Sequence, residues 1–409
     1  MKISRRAFFR TSLSTVAVPT VIGSSYGLQD PHQEQILGPV AKNRFDPWIE
    51  VNREALLFNV KQLSELAGGK PIMAVVKNNA YGLGLDVAAK LLEESPLVRG
   101  FAAVKTDECL KLREAGIRKP ILLLALASEE EEYELASKDI DLSILTDDAP
   151  QRIERISRYV KRPVRIHFYI DTGMSRVGIR FNKALPLIQK IASIKSANVI
   201  TTFTDLTEDP AYDKEQLARL TGVVDAASRM GIKMGEIHAA SSHGVYHFPE
   251  SHLDLARPGL SLYGAYPDSY EAEKKIKPLK AAFRLQARVV RVEQLQAGDS
   301  VSYGRKFIAE KPCWVATIPV GHSDGYPRDA VKGAKILIEG NVFPVIGAVS
   351  ASHTIVNLGE QRSVNVGDIA TLVGPNRPDV EPNAVANACG ISVYDILMHM
   401  NSALPKIVM

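Results

Sequence analysis

The sequence is poor in cysteine, in net charge and in long apolar runs, and each shortage closes off a class of protein. Its three cysteines, Cys109, Cys313 and Cys389, are scattered and odd in number. They offer neither a metal-ligand spacing nor a disulfide framework, even for an oxidising compartment, and read as buried structural residues. The formal net charge is only +4. Lys2, Arg5, Arg6 and Arg10 are all the charges that precede Asp30, so the rest of the chain is close to neutral and no nucleic-acid partner is implied. The apolar run Thr11–Ile22 is too short, and too broken by Ser, Thr and Pro, for an ordinary membrane-spanning helix. Internal repeats, coiled-coil heptads and low-complexity tracts are absent.

What is present is an ordinary globular composition, with 45% hydrophobic and 23% charged residues over a length of 409. That length is enough for one large barrel and a smaller domain. The four leading cations have a reading of their own. Ser4-Arg5-Arg6-Ala7-Phe8-Phe9-Arg10 before a weakly hydrophobic stretch resembles a twin-arginine export signal, so residues 1–30 are expected to be a signal segment and the mature protein periplasmic, with no stable membrane span. No clear Ala-x-Ala site marks its end; processing is placed around Gly23–Asp30. Export of this kind carries folded proteins, which suits an enzyme that acquires a cofactor in the cytoplasm.

From Trp48 onward, short apolar strands alternate with amphipathic helical stretches. Strands are predicted at Pro71–Val76, Gly100–Val104, Pro120–Leu124, Leu142–Leu145, Val164–Ile170, Asn198–Thr202 and Glu236–Ala239. Helices are predicted at Thr106–Ala115, Glu129–Ser137, Pro150–Val160, Asn182–Ser193 and Asp213–Met230. Repeated βα units over this length point to an α/β fold with an N-terminal (β/α)8 TIM-type barrel over 44–270; pattern alone leaves an open parallel sheet as the alternative. After Tyr263 the texture turns to β segments, such as Ala281–Leu295, Ser300–Tyr303, Trp314–Pro319 and Asn341–Val349. Residues 271–409 are therefore read as a mostly β C-terminal domain.

Within the barrel the stretch Ala74-Val75-Val76-Lys77-Asn78-Asn79-Ala80-Tyr81-Gly82 carries the chemistry. A buried strand ends on a lysine, a glycine-punctuated turn follows, and Leu85–Leu92 starts a helix. That strand end is where parallel α/β folds place reactive groups. Desolvation there lowers a lysine's pKa and leaves a neutral amine able to form a Schiff base with a carbonyl, whereas position alone reads rather as a lysine that flanks a strand and points into water.

Several further segments occur with it in one order. They are Asp171-Thr172-Gly173-Met174-Ser175-Arg176-Val177-Gly178, His238-Ala239-Ala240-Ser241-Ser242, Arg257-Pro258-Gly259-Leu260-Ser261-Leu262-Tyr263-Gly264, Val301-Ser302-Tyr303-Gly304 and Gly321-His322-Ser323-Asp324-Gly325-Tyr326-Pro327-Arg328. Together they resemble the fold-type III alanine racemases, which depend on pyridoxal 5′-phosphate (PLP), from about Trp48 to Met400.

The resemblance implies a homodimer with shared active sites, acting on a small amino-acid substrate. Removal and return of an amino acid's Cα proton requires groups on opposite faces. The resemblance assigns these to Lys77, also the lysine that holds PLP, and to Tyr303, contributed by the partner subunit. A tyrosine with an ordinary pKa near 10 needs nearby positive charge to act at neutral pH. Arg176 has that role, close to the substrate carboxylate, and Arg257 matches the arginine that bonds the pyridine nitrogen. Tyr81, Ser242, Gly259 and Leu260 match positions that contact the phosphate. Alone, Tyr303 would read as a packed strand residue and Arg257 as a turn residue.

Four departures qualify the match. His322 stands where the family has a tyrosine; its imidazole can still donate to phosphate, with a charge that depends on pH. Thr202 stands for the histidine that packs beside the PLP ring. Tyr169 stands for a frequently carbamylated lysine that positions Arg176. In Gly347-Ala348-Val349-Ser350-Ala351-Ser352, Ala351 and Ser352 replace a methionine and an aspartate that crowd the entry. Losing the methionine enlarges the pocket, so the expected activity is racemisation of alanine and of larger side chains, like some exported relatives. The alternatives are a diverged, weakly active PLP-binding protein and a fold-type III decarboxylase; the cysteine–aspartate motif of the latter is not apparent.

Overall fold

The computed structural model describes residues 44–268, 270–375 and 377–409. The expected signal segment, 1–30, lies outside them. The described residues fall within one unit. Its first strand, β1 (Trp48–Val51), leads into the helix Arg53–Leu66, whose first turn is closed by the Asn52 side chain accepting from the Ala55 N–H. Strands β2 (Ile72–Val75), β3 (Val98–Ala103), β4 (Ile121–Leu123), β5 (Ile140–Ile144), β6 (Val164–Asp171), β7 (Ile179–Arg180), β8 (Ala197–Phe203) and β9 (Glu236–His238) follow. The path β2-β3-β4-β5-β6-β8-β9 is parallel throughout, with the short β7 paired to β6.

The sheet closes through a segment without a strand's regularity. The Arg257 N–H bonds the Ala240 carbonyl on one side, while Met73 and Val75 donate to the Ala256 and Pro258 carbonyls on the other. A parallel bridge joins Ile72 to Ala256. The eighth stave of the barrel is thus the Arg-Pro-Gly segment itself. Its proline has no N–H to give to a ladder, so the sequence pattern conceals it. The predicted barrel is the fold of this region, and the predicted helices match Thr106–Glu114, Glu129–Ser137, Ala149–Val160, Phe181–Ala192 and Pro210–Arg229 within a few residues.

Ser300–Val301 pairs separately with Phe307–Ile308, while nine of the other strands, β1 among them, build one sheet. Its order is Arg291–Leu295, Cys313–Ile318, Thr354–Gly359, Asn341–Ile346, Lys335–Ile338, Ile369–Val373, Phe283–Arg288, β1 and Lys406–Val408. Two features differ from the sequence reading. The segment Ala281–Leu295, read as continuous, divides at Val289 and Val290, which donate to Asp368 and Thr317 carbonyls and send its halves to separate places in the sheet. β1 falls within 44–270 but pairs with Phe283–Arg288 and Lys406–Val408, so the β-rich domain draws its strands from both ends of the described chain. Chain order cannot reveal such a pairing, because its partners are more than 200 residues away. No helix among the described residues is long and apolar enough to cross a membrane.

Candidate active site

The mouth of the barrel is built from strand ends. β2 delivers Lys77, which opens a short turn, Lys77–Tyr81, of unusual hand. Asn78, Asn79, Ala80 and Tyr81 have φ of 53°, 56°, 50° and 55°, so four consecutive non-glycine residues are left-handed. Each such residue costs about 1–2 kcal/mol relative to right-handed backbone. The neighbours that hold it are specific. The Asn79 side-chain oxygen accepts from the Leu85 N–H at 2.8 Å, and the Asn79 N–H donates to buried Glu108 at 3.2 Å. The turn ends on Gly82 (φ +88°), where an added Cβ would lie 2.3 Å from the Leu397 carbonyl oxygen. Strain tolerated so close to the expected reactive lysine marks this turn as functional.

The Lys77 amine is half-buried, and its pKa is lowered. Burial is the main cause; Arg176 and Arg257 add to it, while Asp205 opposes it. A lysine so placed is a better nucleophile and base at neutral pH than a solvated one.

Arg257 is 4% exposed and held on every side. It donates to His238 Nδ1 at 2.7 Å and to the Thr204 carbonyl at 2.9 Å, pairs with Asp205 Oδ1, and lies over the Phe203 ring at 5.1 Å. His238 in turn contacts Thr201, Thr201 contacts His167, and His167 contacts Asp141, all inside the barrel. Burial first, then the charge of Arg257, keeps the His238 imidazole well below its usual pKa. It therefore stays neutral, and Nδ1 is free to accept from Arg257.

Arg176 reaches the same place from the loop after β6. Asp171 shapes that loop by accepting from the Gly173 and Ser175 N–H groups and from Arg180. The Arg176 side chain is 60% exposed, and it donates to Asp205 Oδ2 at 2.6 Å. Tyr169, at the position of the expected lysine change, donates to the same oxygen at 2.5 Å. Burial, and then the Asp205 charge, raises its phenol pKa, so it remains a neutral donor.

A separate cluster forms a cradle for an anion. The hydroxyl oxygen of buried Ser242 accepts from the Gly259 and Ser261 N–H groups, at 3.1 and 3.2 Å. Leu260 opens a short helical turn, Leu260–Tyr263. A Cβ on Gly259 would lie 2.2 Å from the Tyr81 hydroxyl, so glycine alone leaves that hydroxyl its place. The buried Ser261 hydroxyl has no partner. The small residues and the spare buried Ser261 hydroxyl fit the phosphate of PLP, with Lys77 and Arg257 within the same barrel mouth. Tyr394, from the helix Val393–Met398, extends the aromatic wall, with its ring 6.4 Å from that of Tyr81.

The other expected residues gather in the β-rich domain. Tyr303 is not the strand residue expected. The strand stops at Val301, and Tyr303 opens a short helical turn with its side chain 81% exposed. The Ser302 hydroxyl donates to the Ala348 carbonyl at 3.3 Å, which sets Tyr303 beside the loop that carries Ala351. His322 joins them, because its N–H donates to the Ser350 carbonyl and its ring contacts Arg328 at 2.8 Å. Those contacts place His322 with Ala351, an exposed residue, and not in the hydrogen-bonded Ser242–Gly259–Ser261 cradle.

One departure is re-read by the structure. Thr202 does not take the place of a ring-packing side chain, since its hydroxyl donates to the Met234 carbonyl at 2.7 Å. Strand residues alternate in direction, and Thr201 and Phe203 are the ones that face inward. An irregularity in the β6–β8 pairing, between Ile166 and His167, shifts the register of the strand that carries them. Phe203 is the ring that faces inward beside Thr202, stacked on His238 at 4.9 Å and against Tyr169 at 4.4 Å. Sequence reasoning missed Phe203, Asp205 and Tyr394. Of these Asp205 had a visible signal, as a carboxylate just past a barrel strand.

Comparisons with known proteins agree with this geometry. Residues 51–267 match the family model described as the alanine racemase N-terminal domain, and residues 282–408 match that of the C-terminal domain. The alanine racemase of Carboxydothermus hydrogenoformans is 33% identical over 88% of this chain and 98% of its own length. Among solved structures, the alanine racemase of Clostridium difficile 630 has a TM-score of 0.81 at 28% identity, covering 89% of this chain and 95% of that one. That of the D-cycloserine producer Streptomyces lavendulae has 0.82 at 27% identity, covering 90% and 98%. With both domains matched and the strand-end lysine, two arginines and anion cradle in place, this chain belongs to the alanine racemase family.

Proposed function

We propose that this protein is a PLP-dependent amino-acid racemase, exported to the periplasm, that inverts alanine and larger amino acids between two bases. The observation that carries the reading is Lys77: a half-buried amine with a lowered pKa, at a barrel mouth that also holds Arg176, Arg257 and the anion cradle. When bound, PLP acidifies the substrate Cα–H by drawing the developing charge into its ring.

The chain's own groups supply the rest. Tyr81, the Ser242 hydroxyl and the backbone of Gly259 and Leu260 hold the phosphate. Lys77 holds the cofactor and moves a proton at Nζ on one face of Cα. Arg257 would stand at the ring nitrogen and, being permanently charged, would disfavour a proton there. Arg176 binds the substrate carboxylate and favours the phenolate of the second base. Tyr303, exposed on the β-rich domain, moves the proton on the opposite face from the partner subunit of a homodimer. Ala351 leaves room at the entry for side chains longer than methyl.

Inversion assays with L-Ala, L-Ser, L-Met, L-Lys and L-Arg test the scope; strong preference for alanine with negligible turnover of the rest would confine it to alanine. Visible absorbance before and after borohydride tests the cofactor. Mixing Lys77→Ala with Tyr303→Phe protein tests the shared site. Mixed dimers hold one intact site and regain activity if Tyr303 acts across subunits, whereas sites within one chain stay dead.

A further inference from the structure

No motif of the family resemblance assigned a role to Asp205, yet it is the one acid that touches both active-site arginines among the described residues. It lies two residues beyond β8, half-buried at the barrel mouth. Its two oxygens are divided between two guanidinium groups. Oδ1 takes Arg257, and Oδ2 takes Arg176 at 2.6 Å together with the Tyr169 hydroxyl at 2.5 Å. Arg257 has further anchors in His238 and Thr204. Arg176 is the more exposed of the two, and Asp205 is its only ion pair among the described residues.

We propose that Asp205 is a positioning residue that supplies the counter-charge fixing Arg176, and with it the substrate-carboxylate site, against Arg257. The proposal rests on the racemase reading for what Arg176 binds, but not for how Arg176 is held. Tyr169 cannot supply the charge, because its phenol is neutral and donates to the carboxylate. Without an anion between them, two permanent cations would face each other across a few ångströms beside a third basic group, Lys77. Arg176, having more freedom, would be the one to swing out. A flexible arginine aims its planar fork poorly, and bidentate binding of a carboxylate depends on that aim. Burial opposes the Asp205 charge, but Arg257, the Tyr169 hydroxyl and Arg176 outweigh it and hold the carboxyl below its usual range.

The test uses PLP-loaded Asp205→Asn and Tyr169→Phe proteins. Calorimetric titration with propanoate, a carboxylate that has no amino group to react, reads the Arg176 site without turnover. Asp205→Asn is expected to weaken propanoate binding about tenfold. It is also expected to raise the KM for alanine by more than it lowers kcat. Tyr169→Phe, which keeps the carboxylate, is expected to have the smaller effect on both. Unchanged propanoate affinity and KM in soluble, PLP-loaded Asp205→Asn would overturn the proposal. If that variant does not fold, Asp205→Ser answers instead: it removes the charge with a smaller polar side chain, and weakened propanoate binding supports the role while wild-type affinity overturns it. Wild-type protein that inverts no amino acid would overturn the racemase reading alone, because propanoate still reports on Arg176.

Discussion

The two halves of the expected site are built on different principles. In the barrel, each polar group is fixed by others: Arg257 by His238, Thr204 and Asp205, Arg176 by Asp205, and the cradle by Ser242. In the β-rich domain, Tyr303 and Ala351 stand exposed, and the Ala351 loop is held through its backbone. The first half has its geometry in place within one chain. The second presents side chains outward, as a surface does that meets another subunit. Departures from the family fall in both halves, Tyr169 and Thr202 on barrel strands and His322 and Ala351 in the β-rich domain. Where every neighbour depends on a residue, substitution disturbs many contacts; where it faces outward, it changes only what it meets.

Lys77→Ala should be the most damaging change, since it removes both the hold on the cofactor and one base. Inversion is expected to fall by about four orders of magnitude or more, with loss of the borohydride-sensitive visible band. Tyr303→Phe should follow, at about two to four orders of magnitude. The contrast lies in what else moves: with its side chain 81% exposed, Tyr303 can change while the cofactor band and the melting temperature stay at wild-type values. An unchanged inversion rate would mean that Tyr303 is not the second base.

A single methyl group tests the wired half from another side. Gly259→Ala sets a Cβ 2.2 Å from the Tyr81 hydroxyl, so that buried tyrosine must shift. Displacing that hydroxyl from the phosphate is expected to weaken PLP retention about tenfold or more. Equilibrium dialysis of the cofactor measures it, and retention equal to wild type would place the phosphate elsewhere.

The same contrast decides what the sequence could reveal. The barrel was legible because its strands are short apolar runs between amphipathic helices, and Lys77 only because the Arg176, Arg257 and Tyr303 segments accompany the apolar run that ends on it. The eighth stave was concealed by Pro258 and Gly259, whose irregular backbone leaves no periodicity. Pairing of β1 with strands more than 200 residues away leaves no local trace. The orientation of Thr202 was hidden, because a shift of strand register inverts which side chains face inward, and Phe203 is the neighbour whose ring meets His238. Asp205 went unnoticed for a different reason. Its partners, Arg176 and Arg257, come from other loops, and only folding brings all three together.

The smallest effect is expected from the largest change of volume in the exposed half. Ala351 lies on a loop fastened by main-chain bonds: its carbonyl accepts from the Ser323 N–H at 3.0 Å and hydroxyl at 2.6 Å, and the Ser350 carbonyl accepts from His322. None of these bonds uses the Ala351 side chain, so Ala351→Met should leave the loop, the melting temperature and the cofactor band unaltered. Its cost should fall on specificity. A long thioether at the entry takes up space that a methionine or lysine side chain needs and that alanine does not. The ratio of kcat/KM for alanine to that for methionine is therefore expected to rise about tenfold, the scale on which apolar pockets discriminate by size. A ratio equal to wild type would show that Ala351 does not set the size of the entry, and would leave the scope of the enzyme to the buried half, where Phe203 and Tyr169 already line the wall.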